Sequence, residues 1–159
     1  MTKRRAAEID ALDRKILARF QADTRRSAES IGDEVGLSTA AVYRRLARMR
    51  EDGVIEAEVA VVNAEAAGLP LTCIVAVDVD RERLSDLEQF AARMRGCPLV
   101  VQCFYVTGQA DFVLVVATTD IDAYEAFTRE HLLSDPNVRS FTTQVVMKRI
   151  KGAVLLPVL

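Results

Sequence analysis

The chain has 159 residues, 50% of them hydrophobic and 28% charged, with a formal net charge of −2 at pH 7. This balance allows one domain or two small ones and excludes a disordered chain, a fibrous repeat and a surface basic enough to coat nucleic acid along its length. The longest apolar runs, Val113 to Ala117 and the tail Ala153 to Leu159, fall far short of the roughly 20 residues that a bilayer-spanning helix needs. At the start, Lys3, Arg4 and Arg5 are followed by Asp10, Asp13, Arg14 and Lys15 rather than by the unbroken apolar stretch of a secretory signal. The expectation is a cytoplasmic protein with no membrane partner.

In chain order, Ile9, Leu12, Ile16, Leu17 and Phe20 recur at helical spacing, with Asp10 and Asp13 where a helix start favours acidic side chains. Ser27 can cap a short second helix with Ala28, Ile31 and Val35 on one face, and Gly36 stands where helices end in a left-handed residue. Ser38 caps a third, in which Val42, Leu46 and Met49 share the inner face and Asp52-Gly53 marks the end. Three short helices with a tight turn before the third make a helix-turn-helix arrangement. Val54 to Val62 has the composition of a strand, a wing or a connector, and Asn63 to Pro70 carries the turn residues of a boundary.

The second half repeats a strand, helix, strand rhythm. Leu71 to Val79 is a β-branched run, and Leu84, Leu87, Ala91 and Met94 form a helical stripe ending at Gly96. Leu99 to Val106 and Asp111 to Thr118 are strands joined through Thr107-Gly108-Gln109-Ala110. A helix carries Ile121, Tyr124 and Phe127, and Val138 to Arg149 closes the sheet after Asp135-Pro136-Asn137. The order βαββαβ is the ferredoxin-like plan, so the fold class is α+β. The expected domains are residues 1–53, a winged-helix-like helix-turn-helix; 54–70, a linker strand and hinge; and 71–159, the ferredoxin-like part. The apolar tail is either an extra strand or an oligomer contact.

Basic charge concentrates in the third helix. Between Ser38 and Arg50 there are four arginines and no acid, whereas residues 63–159 hold 9 basic and 12 acidic side chains. At about 100° per residue, Ala40, Tyr43, Arg44, Ala47 and Arg48 face away from the core. Such a face suits a major groove: arginine grips guanine in bidentate fashion, tyrosine reaches a base edge or phosphate, and alanines permit close approach. Arg45 and Arg50 lie nearer the buried stripe, from which long side chains can extend to flanking phosphates. Ser38 and Thr39 sit at the helix N-terminus, where backbone N–H groups favour a phosphate.

Several stretches together are similar to the Lrp/AsnC (feast/famine) family, over about Ile9 to Lys151. They are Ile9 to Leu17, Val35-Gly36-Leu37-Ser38, Arg44-Arg45-Leu46 with Asp52-Gly53-Val54-Ile55, Val106 to Phe112, and Val145-Val146-Met147-Lys148. The resemblance implies a transcription regulator that dimerises through the sheets of its C-terminal domains, assembles into octamers or other discs, and binds an amino-acid effector between those domains. It implies no cofactor. A dimer would offer two recognition helices to a pseudo-palindromic site in double-stranded DNA. Carried over by position, Thr107, Gly108, Gln109 and Asp111 belong to the effector site, with Thr143 and Gln144 as further candidates. Gly108 would allow close backbone approach, loop N–H groups would hold a carboxylate, and Asp111 would meet an ammonium. Many relatives carry an aromatic residue where Gln144 stands, and proline near the start of the recognition helix where this chain has Thr39-Ala40-Ala41.

Two rival readings remain. In one, the protein senses a metabolite and acts through a protein partner; the acid-free basic helix argues against it. The other is a small enzyme on the ferredoxin-like half. No Ser-His-Asp, Cys-His or metal constellation can be assembled from spacing. The three cysteines (Cys73, Cys97, Cys103) match no zinc or redox motif and are expected as reduced, packed thiols, while the single histidine, His131, is expected in a helix-terminal or interface role.

Overall fold

The computed structural model describes residues 8–81, 83–152 and 155–158, so the basic start at Lys3, Arg4 and Arg5, and Ala153, Val154 and Leu159 of the tail, lie outside it. The chain divides into two units, Met1–Val61 with Gly152–Leu159, and Val62–Lys151.

The first unit holds α1 (Ala11–Phe20), α2 (Ala28–Val35) and α3 (Thr39–Glu51). Each helix is started by the residue the sequence singles out. Asp10 and Asp13 exchange backbone-to-carboxylate hydrogen bonds in a capping box at α1. Ser27 and Ser38 accept from the amides of Ser30 and Ala41 at the other two helices. Gly36, at φ +75°, closes α2 in the left-handed conformation. The core is Ile16, Leu17, Phe20, Ala28, Ile31, Val42, Leu46 and Met49, with Val54, Ile55 and Val158 packed against it. A β-carbon on Gly32 would stand 2.5 Å from the carbonyl oxygen of Leu37, so this glycine lets the turn between α2 and α3 close against α2.

Two expectations for this unit are corrected. Val54 to Val62 forms no strand: Val54 and Ile55 donate to the Met49 carbonyl and pack on the helices, whereas Val59, Val61 and Val62 project into solvent. A strand needs a neighbour to satisfy its backbone, and none pairs with this segment among the described residues. No wing is formed among the described residues, and the first compact unit runs on to Val61. The tail, placed by sequence with the second half, groups with the helices instead. Gln21 fixes the Leu156 backbone from both sides, its amide nitrogen donating to the carbonyl at 2.7 Å and its oxygen accepting from the N–H at 3.1 Å, while Val158 joins the helical core.

The second unit is the expected βαββαβ: β1 (Leu71–Val79), α4 (Leu84–Gly96), β2 (Val100–Tyr105), β3 (Phe112–Thr118), α5 (Ile121–Thr128) running into a π-helical turn (Arg129–Leu133), and β4 (Val138–Val145). The sheet order is β2-β3-β1-β4, every neighbour antiparallel. Cys73, Val75 and Val77 on β1 and Phe112, Leu114 and Val116 on β3 pack with Phe90 and Met94 of α4 and with Tyr124 and Phe127 of α5. Alternation leaves Ile74, Ala76, Phe104, Val113 and Val115 on the opposite, helix-free face. β4 stops short of the expected Arg149. Its last ladder bond runs from the Val146 N–H to the Thr72 carbonyl, and β1 begins one residue before Thr72 at Leu71, after Pro70, which has no N–H to offer.

Candidate nucleic-acid interface

The outer face of α3 is open as its period requires. Val42, Leu46 and Met49 are buried, while Ser38, Thr39, Ala40, Tyr43, Arg44, Ala47 and Arg48 are exposed, Tyr43 at 61%. Ser38 spends its hydroxyl on the Ala41 amide, so its part at the helix N-terminus is a cap.

The arginines are not equivalent. Arg45 donates through one nitrogen to Asp10 at 2.7 Å and Asp13 at 2.8 Å, and Arg48 is paired with the other oxygen of Asp13. Arg50 pairs with Glu58 at 2.6 Å and lies over the Phe20 ring. Among the described residues, Arg44 alone of the four has no carboxylate partner. Sequence reasoning missed this division because none of the acids lies on α3: Asp10 and Asp13 come from the start of α1, more than 30 positions upstream, and Glu58 from the segment after α3. Asp13 has no exposed side-chain surface. Its burial is the largest single influence on its titration and favours the neutral acid. Acting against burial, the Asp10 N–H and the guanidinium groups of Arg45 and Arg48 together hold its carboxyl below the ordinary value. α1 is thereby fixed to the back of α3 by charge-assisted hydrogen bonds around a buried carboxylate.

In the second unit, Thr107, Gly108 and Gln109 are exposed at the tip of the β2–β3 connection. Gly108 adopts φ +130°, and a β-carbon there would meet nothing within 4 Å, so conformation rather than space requires glycine. The Asp111 backbone joins the loop to both neighbours, its carbonyl accepting from the Val106 N–H and its N–H donating to the Val77 carbonyl. Its carboxylate accepts from the Val79 N–H at 2.8 Å through one oxygen.

Thr143 and Gln144 do not share a pocket. They are adjacent on β4 and point to opposite faces: Thr143 bonds the Tyr124 hydroxyl on the helix-covered side, and Gln144 is exposed on the open side. Gln144 pairs with Ile74, three residues along β1 from the Val77 that faces Phe112, so it stands about 10 Å along the strand from the loop. Within one chain the loop and Gln144 are not brought together.

One arrangement was invisible to spacing. Cys97 Sγ lies 3.5 Å from His131 Nε2, so a Cys-His pair does exist. Among the described residues no group of three or more metal-ligating side chains occurs, and no helix is long and apolar enough to cross a membrane.

Residues 9–50 match the AsnC-type helix-turn-helix domain and residues 72–155 the Lrp/AsnC ligand binding domain. An HTH-type transcriptional regulator of Sinorhizobium fredii is 40% identical over 96% of this chain and 90% of its own length. The leucine-responsive regulatory protein of Rhizobium meliloti is 32% identical over 92% and 94%. Among solved structures, a Neisseria meningitidis transcriptional regulator in complex with L-Met superposes with a TM-score of 0.87 at 31% identity, covering 94% of this chain and 97% of that one. An AsnC family regulator of Agrobacterium tumefaciens gives 0.87 at 32% identity over the same shares. With both halves matched in order, on a helix-turn-helix followed by a βαββαβ unit, the chain belongs to the Lrp/AsnC family of transcriptional regulators.

Proposed function

We propose that α3 enters the major groove of double-stranded DNA and that Arg44, with Tyr43, Ala40 and Ala47 around it, is the principal base-reading residue. The observation that carries this is that Arg44 is exposed between Ala40 and Ala47 with no carboxylate partner among the described residues, on a face whose other arginine, Arg48, is paired with Asp13. Arg45 and Arg48 hold α3 to α1 and meet phosphates only with whatever donors their carboxylate partners leave free. Thr39 and the N-terminal amides of α3 take a phosphate.

The regulator acts as a homodimer in the cytoplasm and assembles further, toward an octamer, on a pseudo-palindromic site, with the helix-free sheet face as the dimer contact. Its Phe104, Val113, Val115, Ile74 and Ala76 form an apolar surface of the kind that monomers rarely leave open. The effector is an amino acid held between subunits. The amides of Thr107 to Gln109 face its carboxylate, the free oxygen of Asp111 faces its ammonium, and Gln144 arrives from a second copy. The L-Met complex of the Neisseria regulator supports this class of ligand. Thr143, tied to Tyr124, supports the strand behind the pocket.

The test is fluorescence anisotropy on the DNA upstream of the protein's own coding region, at several salt concentrations. Arg44→Ala is expected to cost about 1–3 kcal/mol against the specific site while sparing assembly. Unchanged affinity would place the recognition face elsewhere.

A further inference from the structure

The Cys97-His131 pair lies outside both α3 and the effector loop. Cys97 directly follows α4, and His131 stands in the π-helical turn after α5, a rare geometry that recurs at functional sites. There the buried Leu132 faces the core while the imidazole stacks obliquely on Phe127, ring centres 5.2 Å apart. The thiol borders a cavity of about 530 Å³ whose walls include Arg93, Pro98 and Leu99, and whose rim carries the exposed Glu130. Three kinds of group thus converge: a nucleophile, a base in contact with it, and a space large enough for a small molecule.

We propose that Cys97 is a reactive thiol, with His131 as its base, that undergoes thiol–disulfide exchange with small zwitterionic disulfides entering this cavity. The Cys97 proton passes to His131 Nε2. The sulfur electron pair attacks one sulfur of the disulfide, the S–S bond breaks, and the departing thiolate takes the proton from the imidazolium. One disulfide is replaced by another, so the incoming disulfide is the only oxidant required. Charge on the walls selects the ligand class. Arg93, which gives one nitrogen to Asp135, keeps further donors for a carboxylate, and Glu130, 3.8 Å from His131 Nε2, offers an anion to an ammonium. Cys97 is itself largely buried, at 6% exposure, so what sets it apart is the imidazole: His131 is the one histidine of the chain, and Cys73 and Cys103, both pushed up from the usual thiol value by burial, have no such partner.

The full-length native protein is treated with L-cystine, and each cysteine is followed by peptide mass spectrometry. Cys97 is expected to acquire a disulfide-bonded half-cystine at least tenfold faster than Cys73 or Cys103, and faster than it reacts with the uncharged 2-hydroxyethyl disulfide. His131→Gln should slow Cys97 by about 100-fold, the lower range for a positioned general base, with partial rescue by added imidazole. Modification of Cys103 first, or of Cys97 only after denaturation, overturns the proposal in the wild-type chain alone, whether or not the variant folds. An equal rate in a folded His131→Gln protein overturns the role of the base. Because the readout is mass rather than DNA affinity, failure here is separate from failure of the DNA-binding assignment.

Discussion

Replacing Asp13 by asparagine tests the attachment of the recognition helix. The buried carboxylate accepts the Asp10 N–H at 3.0 Å and Arg45 at 2.8 Å, and is also paired with Arg48. Removing one partner of a buried ion pair costs about 3–5 kcal/mol. Here Arg45 and Arg48 retain 22% and 46% of their side-chain exposure, so both can rehydrate, and Arg45 keeps Asp10. The loss should therefore sit at the low end, about 3 kcal/mol, a large share of the 5–15 kcal/mol that stabilises an ordinary domain. Urea unfolding followed by far-UV circular dichroism, at one protein concentration because assembly adds stability by mass action, measures it. The effect also carries a pH signature. With its folded carboxyl held below the ordinary value, the Asp13 contribution is complete above the unfolded value of about 3.9 and disappears as pH falls through the lower folded one. Wild type and variant should differ fully at pH 7 and converge in strong acid. A loss under 1 kcal/mol at pH 7, or a difference that persists in acid, would mean that the ionised Asp13 carboxylate does not hold α3 to α1.

Gly32→Ala should destabilise the helical unit by about 1–2 kcal/mol in the same assay, overpacking against the Leu37 carbonyl exceeding the gain in helix propensity; a stabilised variant would mean that the α2–α3 turn opens freely. Asp111→Asn retains an oxygen for the Val79 N–H but loses the charge, so the response of DNA binding to the active amino acid should vanish while basal affinity and stability persist. An intact response in anisotropy titrations would move the ammonium site away from Asp111.

The helices of the first unit and their ends were legible in the sequence because they depend on local chemistry: Asp10, Ser27 and Ser38 cap through side chains three positions from the amides they satisfy, and Gly36 relieves a left-handed residue. Which side of α3 faces outward followed from its 3.6-residue period, and the βαββαβ order from alternation broken by turn residues. The fate of Val54 to Val62 was not legible, since a strand pattern states a capacity to pair and not whether a partner is present. Nor were the Asp13 pairs with Arg45 and Arg48, the Gln21 hold on Leu156, and the approach of Cys97 to His131, which join residues 32, 35, 135 and 34 positions apart. Periodicity decides which face of an element is buried. Only the packing of one element on another decides which charges are neutralised, and it is packing that singles out Arg44 on the outer face of α3.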